Sequence, residues 1–130
     1  MGTEMTRPPT RASHRDMLAR PVVSTLAWWL PQIGIVAALL APTPVRAAVW
    51  MLALAWTGFA CLVNAARCGR THCRYTGPFY LVLIVPTLVA GWADAPMPVW
   101  IALAALIVIG GKVIWGASER AWGKYEKAAN

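Results

Sequence analysis

Apolar residues do not alternate with polar ones along this chain. They accumulate in four long runs, from Pro21 to about Ala41, Ala47 to Ala66, Pro78 to about Ala93 and Pro98 to about Gly116. A helix rises about 1.5 Å per residue, so roughly 20 residues cross a ~30 Å hydrocarbon core. The third run is the shortest, and its flanks from Thr76 to Ala95 bring it to spanning length. In hydrocarbon each backbone N–H and C=O needs an internal partner, which a helix supplies locally, while barrel strands would alternate. Pro21, Pro78 and Pro98 suit first helical positions and Thr76 suits an N-cap, whereas Pro31 and Pro86 fall inside runs and predict kinks or local unwinding. The connections Pro42 to Arg46, Arg67 to Gly77 and Asp94 to Met97 are short enough to join antiparallel neighbours. The expected fold is therefore all-α, an integral membrane four-helix bundle running up-down-up-down. Its spans are about 21–41, 47–66, 77–94 and 98–116, between a disordered basic tail at 1–20 and a second tail at 117–130.

Composition agrees with lipid as the solvent. Hydrophobic residues make up 58% of the 130 residues and charged residues 13%, about half the charged share of a soluble domain. The net charge of +7 sits in clusters between apolar runs, not along one face, which argues against nucleic acid and for anionic headgroups. Ten basic residues (Arg7, Arg11, Arg15, Arg20, Arg67, Arg70, Arg74, Arg120, Lys124 and Lys127) would share one side, with only Arg46 opposite. By the positive-inside rule both termini are expected in the cytoplasm, the membrane being a bacterial inner membrane. The first run is read as a retained span, because Arg46 spoils the weak cleavage pattern Val45-Arg46-Ala47. Most tryptophans, including Trp28, Trp50, Trp92, Trp100, Trp115 and Trp122, fall at or near run ends, where indole settles at headgroup depth. The small residues of the second and fourth runs, Gly58, Gly110 and Gly111 among them, suit close helix approach.

Candidate chemistry gathers in the middle loop, Arg67-Cys68-Gly69-Arg70-Thr71-His72-Cys73-Arg74, with Cys61 just upstream. At 100° per residue Cys61, Asn64, Cys68 and His72 lie within an arc of about 80° if the second helix continues, and Gly69 offers an early stop. Thiolates and an imidazole suit a soft ion such as Hg, Cu or Zn, so the candidate metal ligands are Cys68, His72, Cys73 and Cys61. A cytoplasmic loop stays reduced, which argues against a structural disulfide. The other reading makes Arg67, Arg70 and Arg74 contacts to lipid or anions. On that reading the chain is a non-catalytic membrane subunit or assembly factor, docking lipid or a partner protein, or forming a homo-oligomer. Lys112 is expected to snorkel to the headgroups, Gln32 to bond a carbonyl freed at Pro31, and Asp94 to be solvated. No Gly-rich phosphate loop, nucleophile motif or carboxylate pair is present, so no enzymatic activity is expected.

In size, helix count and the pair Cys68-Gly69-x-x-x-Cys73, the chain resembles the small bacterial mercuric-ion uptake proteins. That resemblance implies passage of Hg(II) between cysteines toward a cytoplasmic acceptor. The family's cysteine pair in the first helix has no counterpart between Pro21 and Ala41, which leaves Cys61 as the intramembrane relay.

Overall fold

A computed structural model describes residues 14–125. The described residues are almost entirely helical, with four helices long and apolar enough to cross a membrane: α1 (Pro21–Leu40), α2 (Thr43–Cys68), α3 (Thr71–Trp92) and α4 (Met97–Trp122). The tail segments 1–13 and 126–130 lie outside the described residues. Large apolar side chains cover the outer surface, with Leu40 95% and Trp92 90% exposed, which hydrocarbon accommodates and water would not.

The prolines explain the irregularities. Pro31 has no N–H for the Ala27 carbonyl, and α1 answers with a π turn at Thr25–Trp29 that closes on the Leu30 N–H to Thr25 C=O bond. Helix α3 breaks at Leu83, between Thr71–Val82 and Ile84–Trp92, three residues before Pro86. There the Thr87 hydroxyl donates to the Leu83 carbonyl at 2.8 Å. Pro21 and Pro98 do open helices as expected. Pro78 does not: it lies inside Thr71–Val82, because α3 begins a full two turns earlier than the apolar run.

That early start corrects the middle loop. The second helix runs on to Cys68, Gly69 turns the chain at φ 69°, and α3 begins at Thr71, so the connection shrinks to Gly69 and Arg70. Thr76 is accordingly no N-cap; its hydroxyl donates to the His72 carbonyl at 2.9 Å within the helix. The left-handed φ explains the glycine, since a Cβ would be strained there.

Helix α2 packs against α1 and α3, and α4 packs chiefly against the first half of α3. At the α2–α3 crossing Gly58 and Gly77 face each other. A Cβ on Gly58 would come 2.8 Å from Leu81, and one on Gly77 would come 2.9 Å from Leu62. Gly110 and Gly111 make room for the rings of Phe79 and Tyr80 in the same way. The core holds Ile35, Trp50, Leu54, Leu83, Trp100 and Ile107. Trp50 and Trp100 are fully buried and meet edge to face at 5.1 Å, not at a lipid interface. Each indole N–H finds a carbonyl, that of Ile35 or Ala95.

Arg46 is likewise not a loop charge. It is buried in α2 and donates to the carbonyls of Ala38, Leu39 and Ala41 at the C-terminal end of α1, with its guanidinium 5.1 Å from the Trp100 ring. Asp94 is exposed at φ 45° in the α3–α4 turn, a conformation aspartate tolerates.

Replacing Gly77 with leucine should overpack the α2–α3 crossing and cost about 1–3 kcal/mol. Gly116→Ala, where an added Cβ meets nothing within 4 Å, should leave stability unchanged or slightly raised. Thermal melts of both variants in detergent check the pair; equal melting would disprove the close crossing.

Candidate functional site

The end of the molecule that carries the cysteines is organised by one buried cation. Arg70, expected at lipid headgroups, is instead 7% exposed in the α2–α3 turn. Its Nη1 meets Asp16 Oδ2 at 2.5 Å and its Nε meets Glu119 Oε1 at 3.0 Å. Asp16 precedes α1 and Glu119 sits near the end of α4, so three distant stretches of chain converge on one guanidinium. Tyr125, beyond α4, donates its hydroxyl to Asp16 Oδ2 at 3.0 Å, and the Thr71 N–H bonds the Lys124 carbonyl. Neither flank behaves as a loose tail here: Asp16 is 1% exposed and caps a 3-10 turn at Met17–Ala19.

Asn64 joins this network to the thiols. Its Oδ1 accepts the Met17 N–H at 2.8 Å, and its amide hydrogens go to Asp16 Oδ1 at 3.0 Å and Cys73 Sγ at 3.5 Å. Cys61 of α2 and Cys73 of α3 are both buried, and each thiol meets a side chain of the other's helix, Cys61 that of Thr76 and Cys73 that of Asn64. The Trp28 indole N–H donates to Cys61 Sγ at 3.1 Å, and Thr76 Oγ1 lies 3.5 Å from the same sulfur.

His72 borders the pair. Its Nδ1 lies 2.9 Å from Glu119 Oε1, and its Nε2 lies 3.4 Å from Cys73 Sγ. An ionised carboxylate can only accept, so Nδ1 carries the proton, and in the neutral ring Nε2 offers its lone pair to the thiol. The ring stacks on Trp115 with centroids 4.5 Å apart. Both supports, Trp115 and Glu119, stand four residues apart on one face of α4.

The four proposed ligands are thus divided. Cys61, Cys73 and His72 come together, whereas Cys68 turns away and donates to the Asn64 carbonyl at 3.1 Å. Among the described residues no group of three His, Cys, Asp or Glu side chains is placed to hold a metal ion. What is ready-made is a pair of thiols from two helices with an imidazole at its edge. Of the arginines, Arg67 and Arg74 are exposed and Arg70 is not.

A cavity of about 280 Å³ opens beside the thiols, lined by Cys61, His72, Trp28, Tyr80, Lys112 and Trp115 among others. It lies between α1 and α4, which barely touch each other. Gln32 lines this space as well. Lys112 is exposed, with Nζ 5.5 Å from the Trp115 ring.

Asp16 and Glu119 had no place in the reading of the sequence. Only five acidic residues occur in the chain, and these two flank the predicted apolar block, which was the available signal. Burial alone would raise the Asp16 carboxyl, but hydrogen bonds from Asn64, Arg70 and the Leu18 N–H, with the Arg70 charge, hold it below its ordinary value. Arg70 shows the reciprocal effect: burial opposes its charge, and the two carboxylates more than restore it. For Tyr125, burial and the Asp16 contact push the phenol up, favouring the protonated donor.

These shifts fix a pH dependence. A carboxyl whose folded value is depressed stabilises the fold above its unfolded pKa of about 4, and that contribution fades as pH falls through the lower folded value. Melting temperature should therefore stay level from neutral pH to about 5 and drop in stronger acid, with the drop flattened in Asp16→Asn. At neutral pH Asp16→Ala, which strands a buried guanidinium, should cost about 3–5 kcal/mol, and Asp16→Leu combined with Arg70→Met should cost less than the two single losses summed. Tryptophan-fluorescence melts across pH measure all of these.

No known protein family, curated protein or solved structure matches this chain.

Proposed function

We propose that this chain is a small multi-pass membrane protein that binds a soft metal ion through the thiols of Cys61 and Cys73. The observation that carries the reading is the placement of two buried thiols from different helices, each against a side chain of the other's helix, beside an open cavity.

The donor set selects among ions. Zinc in a structural site takes four ligands in a tetrahedron, and this site does not offer four. Soft ions such as Cu(I) and Hg(II) prefer thiolates, and two sulfurs make a sufficient set for them. His72 Nε2 stands at the edge of the pair as a third donor that a small movement would bring in. Binding releases two protons, one from each thiol, and leaves the oxidation state of the metal unchanged. On this reading Cys68 is not a ligand, since its thiol is committed to a backbone carbonyl.

The placement in a membrane supports ion handling. Contacts join the start of α1, the end of α2, the start of α3 and the end of α4 around Arg70, and join the other ends around Arg46 and Trp100. That pattern supports an up-down-up-down bundle. The excess of basic residues around the Arg70 end supports a cytoplasmic location for it and for both termini, in a bacterial inner membrane. The thiol pair then sits just within the cytoplasmic face, where a captured ion is within reach of a soluble acceptor. Transport of the ion, as in the mercuric-ion uptake proteins, extends this proposal. Arg67 and Arg74, exposed at the same face, are in position to meet anionic headgroups.

Titration of the purified protein with Hg(II), followed by thiolate-to-metal charge-transfer absorption and by metal retained on gel filtration, tests the assignment. One tightly held ion per chain is expected, lost in Cys61→Ser and in Cys73→Ser and kept in Cys68→Ser. Equal binding by all three variants, or none by the wild type, would overturn it.

A further inference from the structure

Resting on the soft-metal reading, a second question is the form in which the ion arrives. The cavity beside Cys61 is far larger than a bare ion needs, at about 280 Å³. Its charged lining is also of the wrong sign for a free cation. Lys112 lines it, His72 lines it as a neutral ring, and no aspartate or glutamate does. The carboxylates just behind this wall are occupied: Glu119 lies 2.9 Å from His72 Nδ1 and is paired with Arg70, and Asp16, bonded to the Leu18 N–H, is paired with the same guanidinium. Lys112 makes no ion pair among the described residues, and its only described contact is the face of Trp115. Exposed at the cavity wall and paired with no carboxylate among the described residues, this ammonium gives a largely apolar space a positive sign that favours an anion.

Only one of the thiols faces this space. Cys61 lines the cavity, and Cys73 lies behind it against Asn64 and His72. The two sulfurs are therefore reached in order.

We propose that the cavity receives the ion as an anionic bis-thiolate complex, formed with small carboxylate-bearing thiols, and that Lys112 is the residue that selects for its negative charge. A soft ion in a reducing compartment is held by thiols, so this is the chemical form available to it. Transfer proceeds by two ligand exchanges. In the first, Cys61 sulfur bonds to the metal, one carrier thiolate leaves, and the proton of Cys61 departs on that thiolate as a neutral thiol. In the second, Cys73 displaces the remaining carrier in the same way, giving Cys61–S–metal–S–Cys73 and a second free thiol. No electron changes hands. The Trp28 N–H bonded to Cys61 Sγ can stay in place throughout, since it is a donor to that sulfur before and after exchange.

The test compares two Hg(II) donors with the same sulfur coordination and opposite outer charge, the bis-complexes of 3-mercaptopropionate and of cysteamine. Each is mixed rapidly with the full chain in a nonionic detergent at low salt, and quenching of tryptophan fluorescence follows the transfer. The anionic donor should transfer about tenfold faster, the advantage shrinking with added salt. Lys112→Gln should abolish the difference and Lys112→Arg should preserve it, while final metal content stays at wild-type level in both. Equal rates from the two donors in the wild type, or a difference that survives in Lys112→Gln, would overturn the role of Lys112. Failure of the wild type to bind Hg(II) in the direct titration would instead sink the soft-metal reading itself.

Discussion

A buried guanidinium tolerates no missing partner, and much of this molecule's architecture follows from satisfying Arg70. Removing one charge from water costs several kcal/mol, so the site exists only if carboxylates are delivered to it with good geometry. Asp16 and Glu119 come from the two ends of the described chain. To reach Arg70 the stretch before α1 must fold back as a 3-10 turn and α4 must run past Gly116 as far as Glu119. The same demand sets the chemistry next to it. Asn64 is oriented by Asp16, and its second amide hydrogen points at Cys73; Glu119 fixes the His72 tautomer, and the free nitrogen points at the same thiol.

The opposite end of the bundle solves a different problem with the same residue type. Arg46 meets no carboxylate; it meets three carbonyls at the frayed end of α1 and an aromatic face. Backbone oxygens carry only partial charge, and together with a ring quadrupole they suffice at a helix C-terminus, where the macrodipole is also negative. Arginine thus serves as a staple at both ends. Among the described residues it is the Arg70 end that pairs its guanidinium with full negative charges.

How much of this was visible beforehand depended on range. The four helices were legible because lipid imposes a length and a hydropathy that each run displays by itself. The kinks at Pro31 and Pro86 were legible for a local reason too, the missing N–H. What failed was continuity across Arg67 to Gly77. A run of Arg, Cys, Thr and His reads as a loop when helices are found by apolarity, yet polar residues can continue a helix once their side chains are buried against each other. His72, Cys73 and Thr76 are all buried, and nothing within their own segment says so. Trp50 and Trp100 misled in the converse way. Their positions near run ends fit an interfacial belt, and only pairing between α2 and α4 turns them inward. The helical wheel put Cys61, Asn64, Cys68 and His72 on one face of a continued second helix; the first three share that helix and are buried, but the turn at Gly69 carries His72 onto the next one, and the wheel could not foresee that Cys73 there would be the thiol beside Cys61.

That pairing also explains why the cavity lies where it does. Close approach of α2 and α3 at Gly58 and Gly77 brings Cys61 and Cys73 together about one turn from the crossing. Helix α4 is held on the far side by Phe79 and Tyr80 seated against Gly110 and Gly111. Helix α1 is tied to α2 by Trp28 and Trp50, through Cys61 and the Ile35 carbonyl. With α1 committed to α2 and α4 committed to α3, no side chains remain to close the gap between them. The widened π turn at Thr25–Trp29 places Trp28 and Trp29 on the rim of that gap. The opening beside Cys61 is thus a consequence of packing that is tight elsewhere.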